Sequence, residues 1–309
     1  MNTNSIVLHL HDIKINLNCN DLPLFKFLAD QLQFPKFRDY ANYINIKINV
    51  NVKYAAQEGE RSDIFDTSKN NFSLNCWMKD INARIDKKTN SIYVQVLLPN
   101  ALENEALLHL IIIEPLRYIL KSKGIFLIHS AALMKDTKGL IICGEPGAGK
   151  TTLACTLLAK GYKFLSDEFS ILKKGLIYSF PLKIKLEKLN FAQVKQLKDS
   201  PGDNIKSNPG ASEFRPRKIA ECFQPRLTLF IFKAHRMKNR IGIRPLSKEE
   251  CFMFLVSDKN NSLSYEKNPI LRKKQIQALS FIAQNSKSYA LTYRLNNINQ
   301  ACQAIDRLI

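Results

Sequence analysis

The chain reads as an α/β protein, a mixed sheet flanked by helices, with a smaller α+β domain at its amino-terminal end. Three observations predict this. Residues 43–53 alternate, with Ile44, Ile46, Ile48, Val50 and Val52 set against polar neighbours, as in a strand with one buried and one wet face. Residues 124–134 and 139–143 are instead near-continuous apolar runs, the pattern of strands covered on both faces. A glycine-rich turn at 144–149 follows the second run and opens a helical segment.

The elements follow in order. Ile6, Leu8 and Leu10 alternate, as do Ile13, Ile15 and Leu17, with a slip of phase near Asp12 that reads as a bulge. Asp21 opens a helix with Pro23 in its first turn, and Pro35 stops it. The alternation at 43–53 predicts an antiparallel sheet. A hairpin follows, 83–86 and 91–98. These elements make up the amino-terminal domain, 1–102, a candidate substrate-recognition unit. Residues 103–123 read as a connecting helix, and 124–309 as the larger domain. There a helix over 150–160 is closed by Gly161, and a strand over 162–166 delivers Asp167 and Glu168. Short strands at 169–174 and 176–180, a helix near 185–198 and a polar loop over 200–218 come next. A strand over 227–234 is expected to pair with 241–244. Ser247 and Glu250 form a capping box for a helix to about 257. A helix at 268–284, a strand at 288–294 and a helix at 297–309 finish the chain.

Bulk composition bounds the class. The 309 residues are 45% hydrophobic and 24% charged, as in a soluble globular protein. No run is long and apolar enough for a membrane span, because His109, Glu114 and Pro115 interrupt the richest stretch. No basic and apolar leader opens the chain, so a cytoplasmic protein without a membrane partner is expected. Seven scattered cysteines without a CxxC pair indicate neither a disulfide framework nor a zinc site. Cys143 and Cys155, beside the glycine loop, read as small buried hydrophobes. The formal charge of +19 would suit a polyanionic partner such as nucleic acid. The excess is mostly lysine spread along the chain, which also describes ordinary solvated faces.

The sequence Gly144-Glu145-Pro146-Gly147-Ala148-Gly149-Lys150-Thr151 satisfies the phosphate-loop pattern in full, and Thr152 continues it into the helix. Its glycines let backbone amides turn toward phosphate oxygens where a Cβ would clash. The helix beginning at Lys150 aims its free amides and positive end at the same anion. Lys150 supplies a point charge to the β- and γ-phosphates, and the Thr151 hydroxyl suits Mg²⁺. Asp167 and Glu168, at the end of the strand after that helix, are placed to hold Mg²⁺ or to take a proton from an attacking hydroxyl, if neighbouring strand ends converge as in an open parallel sheet. His129 lies two elements before the loop. A lone histidine in an apolar run also fits a satisfied core residue.

Together, residues 129–133 (His-Ser-Ala-Ala-Leu), the phosphate loop and residues 161–168 ending in Asp167 and Glu168 resemble the catalytic domain of HPr kinase/phosphorylase. They are more similar to its relatives, the HPr-kinase-like serine kinases of peptide-maturation clusters. Ser179-Phe180-Pro181-Leu182 and Tyr293-Arg294-Leu295 share the likeness, which covers about 124–309 and is specific around 129–186. The resemblance implies a P-loop kinase domain of HPr-kinase type, with ATP and Mg²⁺ as cofactors. Lys150 and Thr151 match the nucleotide and metal contacts, Asp167 the base toward a substrate serine, and His129 an active-site histidine. It also implies a homo-oligomer. Glu168 replaces the second aspartate of the family's pair. The Gly-Leu-Gly signature and Pro-Gly-Arg run of the bifunctional enzymes are absent, so neither the reverse phosphorolysis nor HPr as substrate is expected. Arg215, Arg217 and Lys218 fall where such kinases carry a mobile loop, and read either as contacts to the transferred phosphoryl group or as a solvated basic stretch. Glu213, beside them, is a further candidate for Mg²⁺.

The function expected is an ATP- and Mg²⁺-dependent transfer of the γ-phosphate to a serine hydroxyl of a peptide or protein. Two alternatives stand: a kinase of a small hydroxylated metabolite, such as free serine or a sugar, and a slowly hydrolysing regulatory module that binds nucleic acid.

Overall fold

Residues 3–32, 40–53, 71–75, 81–86, 88–97, 107–180, 182, 184–185, 213–214, 216, 219–232, 241–258 and 268–309 are described by the computed structural model. The chain divides into two units, Met1–Gly124 and Ile125–Ile309.

In the first unit, β1 (Asn4–Leu10), β2 (Ile13–Cys19), β3 (Ile44–Lys53), β4 (Asn71–Asn75), β5 (Ile81–Asp86) and β6 (Ser91–Leu97) form one sheet in the order β1-β2-β3-β6-β5-β4. The phase slip near Asp12 is a two-residue turn rather than a bulge. Leu10 pairs with Ile13, and His11 takes a left-handed φ of 56° so that the chain folds straight back. The antiparallel expectation for the 43–53 strand is also overturned, since β3 runs parallel to both β2 and β6. The helix α1 (Leu22–Gln31) intervenes between β2 and β3, and a crossover of that kind returns the chain in its original direction. Asp21 caps α1, accepting from the Leu24 amide at 2.7 Å. Alternation correctly marks one buried face, with Ile46, Ile48, Val50 and Val52 inside. Its other face is wet and carries amide pairs: Asn18 Nδ2 donates to Asn49 Oδ1 at 3.0 Å and Asn20 Nδ2 to Asn51 Oδ1 at 2.9 Å. The predicted connecting helix begins in π-helical form at His109–Ile113 and continues as α2 (Glu114–Ser122). Both parts pack on β5; residues 103–106 lie outside the described residues.

The second unit is layered around a sheet of β8 (Ala131–Lys135), β9 (Lys138–Gly144), β10 (Lys163–Ser166), β16 (Pro225–Phe232), β17 (Gly242–Pro245) and β18 (Lys287–Thr292). Their order is β10-β8-β9-β16-β18-β17. A second sheet, of β7 (Phe126–His129), β11 (Phe169–Lys173), β12 (Leu176–Tyr178) and β15 (Cys222–Phe223), follows the order β15-β12-β11-β7. A small ribbon pairs β13 (Ile184–Lys185) with β14 (Glu213–Phe214).

Apolar side chains leave both faces of the central sheet. Leu140 and Ile142 of β9, with Leu227, Leu229 and Ile231 of β16, pack on α3 (Lys150–Ala159) and the terminal α6 (Ile298–Leu308). Ile141, Cys143 and Phe230 point the other way, into a core shared with the second sheet, α4 (Lys248–Ser257) and α5 (Pro269–Asn285). The expected capping box at Ser247 and Glu250 is formed at the head of α4.

Three expectations change. The single apolar run 124–134 is two strands in two sheets, divided at Ser130. The 227–234 strand does not pair with 241–244; β18 lies between them, parallel to β16 and antiparallel to β17. β10 is not beside β9 in a parallel sheet either, because β8 lies between them and runs antiparallel to both. Of the helix expected near 185–198, residue 185 belongs to β13 and 186–198 lie outside the described residues. So does most of the 200–218 loop.

Candidate active site

Strand direction brings the predicted residues together. β9 ends at Gly144 and β10 ends at Ser166, just before Asp167. β8, running oppositely between them, begins at Ala131, just after His129 and Ser130. All three ends therefore share one edge of the sheet. At the same edge the chain twice changes sheets, from β7 to β8 through Ser130 and from β10 to β11 through Asp167 and Glu168. These two crossings are tied together: the Ser130 amide donates to Glu168 O at 3.2 Å, and His129 sits opposite Phe169. Beneath them three wholly buried serines satisfy one another. Ser130 Oγ donates to Ser170 Oγ at 2.9 Å, and Ser170 Oγ also pairs with Ser166 Oγ.

The phosphate loop has little freedom. Gly144 has φ +146°, and a Cβ there would stand 2.5 Å from the Ile231 carbonyl oxygen of the neighbouring strand. Gly149 has φ +100°, and a Cβ would stand 2.6 Å from Tyr293 Oη. Tyr293, just past β18, donates that hydroxyl to Gly149 O at 2.9 Å. Glu145, Pro146 and Gly147 form an exposed tip, and the partly buried Ala148 closes the turn by donating its amide to Glu145 O at 3.1 Å. Among the described residues no side chain caps the start of α3. Its first-turn amides, those of Lys150, Thr151 and Thr152, keep the geometry that suits an anion.

Lys150 is buried against this loop, its Nζ donating to Gly144 O at 2.7 Å and to Glu145 O at 3.3 Å. Burial pulls its ammonium below the ordinary lysine value, while Asp258, Asp167 and Glu168 push it back up. Thr151 Oγ1 donates to Asp167 Oδ2 at 2.9 Å, joining the loop to the end of β10. Thr152 is buried one position further on. His129, also buried, pairs through Nδ1 with Asp258 Oδ2 at 3.2 Å.

The structure thus gathers His129, the loop residues 144–152, Asp167 and Glu168. Arg215, Arg217 and Lys218 lie outside the described residues; Glu213 is placed only by its backbone, in β14. Two residues of this neighbourhood were not assigned a role from sequence. Tyr293 belongs to a recognisable tail segment, but only the fold shows it meeting Gly149. Asp258 had no local signal beyond its place after a capped helix. Cys143 and Cys155 are buried, as expected of small apolar residues.

Mg²⁺ with a nucleotide fits these residues. Among the described residues no three His, Cys, Asp or Glu side chains converge on a metal position. An ion shared with phosphates and water requires only one or two protein oxygens, and the Thr151–Asp167 pair offers them beside the loop. No helix among the described residues is long and apolar enough to cross a membrane.

No family model matches the chain, and no curated protein does. Among solved structures it is similar to the Hpr(Ser) kinase/phosphatase from Coxiella burnetii, at 12% identity, over 59% of this chain and 93% of that one, with a TM-score of 0.30.

Proposed function

We propose that this chain is an ATP- and Mg²⁺-dependent kinase that transfers the γ-phosphate to a serine hydroxyl of a peptide or protein. One observation carries the nucleotide chemistry: the hydroxyl at the head of the phosphate-loop helix is hydrogen-bonded to the carboxylate just past β10. P-loop enzymes hold Mg²⁺ with such a hydroxyl and carboxylate. When bound, the ion neutralises charge on the β- and γ-phosphate oxygens.

The chain's own residues supply the rest. The loop amides and the start of α3 orient the phosphates, and Lys150 turns its charge from the loop carbonyls to them. Asp167 takes the proton of the attacking hydroxyl. A carboxylate accepts through two oxygens, so holding Thr151 through one is compatible with that role. Glu168 stands next to it as a further carboxylate for the metal. His129 lies at the adjoining crossing, and its role as an active-site histidine rests on the resemblance. Serine as the acceptor rests on the resemblance of residues 129–133, 144–151 and 161–168 to the HPr-kinase-like serine kinases. A small hydroxylated acceptor would use the same groups.

A second reading is favoured by the same Thr151–Asp167 bond, because that pair serves equally when water is the acceptor. The chain would then be a slow nucleotide hydrolase with a regulatory role. Labelled ATP separates the two: transfer puts the label on an acceptor, whereas hydrolysis releases it as inorganic phosphate whatever acceptor is added. In the kinase reading, Asp167→Asn lowers transfer by about 10²- to 10⁴-fold while nucleotide affinity measured without Mg²⁺ is retained. Transfer by that variant at the wild-type rate would sink the assignment of the base. Binding to DNA or RNA that weakens steeply with salt would favour the regulatory reading.

A further inference from the structure

Asp258 ends α4 at its C-cap position. A carboxylate is poorly placed there, because the last carbonyls of a helix carry partial negative charge and favour cations. Glycine or asparagine is the common residue near such an end, and no basic residue offsets the charge in the last turn of α4. The Asp258 carboxylate meets His129, 129 positions earlier in sequence, with Nδ1 to Oδ2 at 3.2 Å and the two side chains only 10% and 14% exposed.

Chemistry fixes the direction of that bond. An ionised carboxylate only accepts, so the proton lies on Nδ1, and in the neutral ring the acceptor lone pair is on Nε2. Phe169, paired across the strands with His129, packs near the ring with centroids 6.3 Å apart. The imidazole is thus held by a hydrogen bond from one element and by an aromatic ring from another. The charge of Asp258 also reaches Lys150, which places the carboxylate within the electrostatic range of the phosphate loop.

We propose that Asp258 is a positioning residue of this site: it fixes the His129 ring at the strand crossing beside the phosphate loop, with the proton on Nδ1. The effect on turnover rests on the phosphotransferase reading. The state of the ring does not.

The test uses the full chain labelled with ¹⁵N-histidine, at mildly alkaline pH, as wild type, Asp258→Asn and Asp258→Ala, with His129 assigned through His129→Gln. The wild-type ring is expected to carry its proton on Nδ1, and in Asp258→Ala the proton redistributes toward Nε2. In parallel, Asp258→Asn loses about 10- to 100-fold in kcat, the loss typical when a metal-ligating histidine is deprived of the partner that orients it, with the KM for nucleotide unchanged. Asp258→Glu, which restores the charge, recovers part of the loss. A wild-type ring protonated on Nε2, or the same ring spectrum in Asp258→Ala, overturns the proposal. So does an unchanged kcat in a variant whose ring has altered. If the ring responds as expected but the wild-type protein phosphorylates no acceptor, Asp258 still positions His129, and it is the kinase reading that fails.

Discussion

The two large sheets use the same kinds of strand in opposite ways. In the first unit, β3 buries Ile46, Ile48, Val50 and Val52 on one side and shows Asn45, Lys47 and Asn51 to water on the other. In the second, β9 buries Leu140 and Ile142 on one side and Ile141 and Cys143 on the other. A sheet covered on both faces meets ligand mainly at its strand ends. That is where this one collects its loop, its carboxylates and its histidine. The half-covered sheet instead turns polar side chains of β3 outward along one face. Layering alone thus decides which unit concentrates chemistry at a point and which spreads polar groups over a surface.

Placing a carboxylate on each face tests this contrast most severely. Aspartate at Ile141 or at Ile142 is expected to prevent folding of the second unit, because an unpaired buried charge costs several kcal/mol on either side. Of the neighbours Ile48 and Asn49 in β3, only Ile48→Asp should do so. Asn49→Asp keeps an acceptor for Asn18 and should stay within about 0.5 kcal/mol of wild type in denaturant unfolding. Tolerance of aspartate at either β9 position would break the contrast. A smaller effect belongs to the strand ends. Gly149→Ala forces a side chain into a left-handed backbone and against Tyr293, so unfolding free energy should fall by about 1–3 kcal/mol, and nucleotide affinity measured by titration should fall with it. Adding Tyr293→Phe removes the hydroxyl and should restore only part of that affinity, since the φ of +100° remains.

The smallest effect is at the opposite end of the sheet. There Lys135 Nζ and Tyr162 Oη each donate to Asp306 Oδ1 at 2.7 Å. Burial raises the Asp306 carboxyl, but these two donors outweigh it and hold the group below its ordinary value of 3.8. A carboxyl depressed on folding adds stability that is fully present above the unfolded value and is lost as pH falls through the folded one. Acid unfolding should therefore steepen slightly below pH 3.8, and Asp306→Asn should remove that component while leaving the site unaffected.

How legible each part was follows from how local its cause is. The loop at 144–151 is visible because one short stretch carries the whole pattern, with glycines where the backbone takes a positive φ. Alternation in β3 revealed which side chains are buried, yet not the strand's direction, since direction depends on the connection and not on the face. The run 124–134 concealed a change of sheet at Ser130, because both sheets bury it and hydrophobicity is the same on either side. Asp258 was unreadable for a different reason. Its partner is 129 positions away, and a helix end predicts nothing about a histidine on a distant strand. Asp167 could be read from its position alone, although the neighbour expected for its strand was wrong: the middle strand β8 reverses, so the ends of β9 and β10 still face the same way.

For the proposed kinase, the bonds that Lys150 makes to Gly144 and Glu145 set the terms on which a nucleotide would bind. A phosphate does not meet a bare ammonium. It competes with two carbonyls of the same loop, and each new contact at Nζ is made as an old one is given up. Binding is then an exchange, and its free energy is the difference between a doubly charged oxygen group and two neutral dipoles in the same small volume. Under that reading, an anion of high charge density would gain most from the exchange.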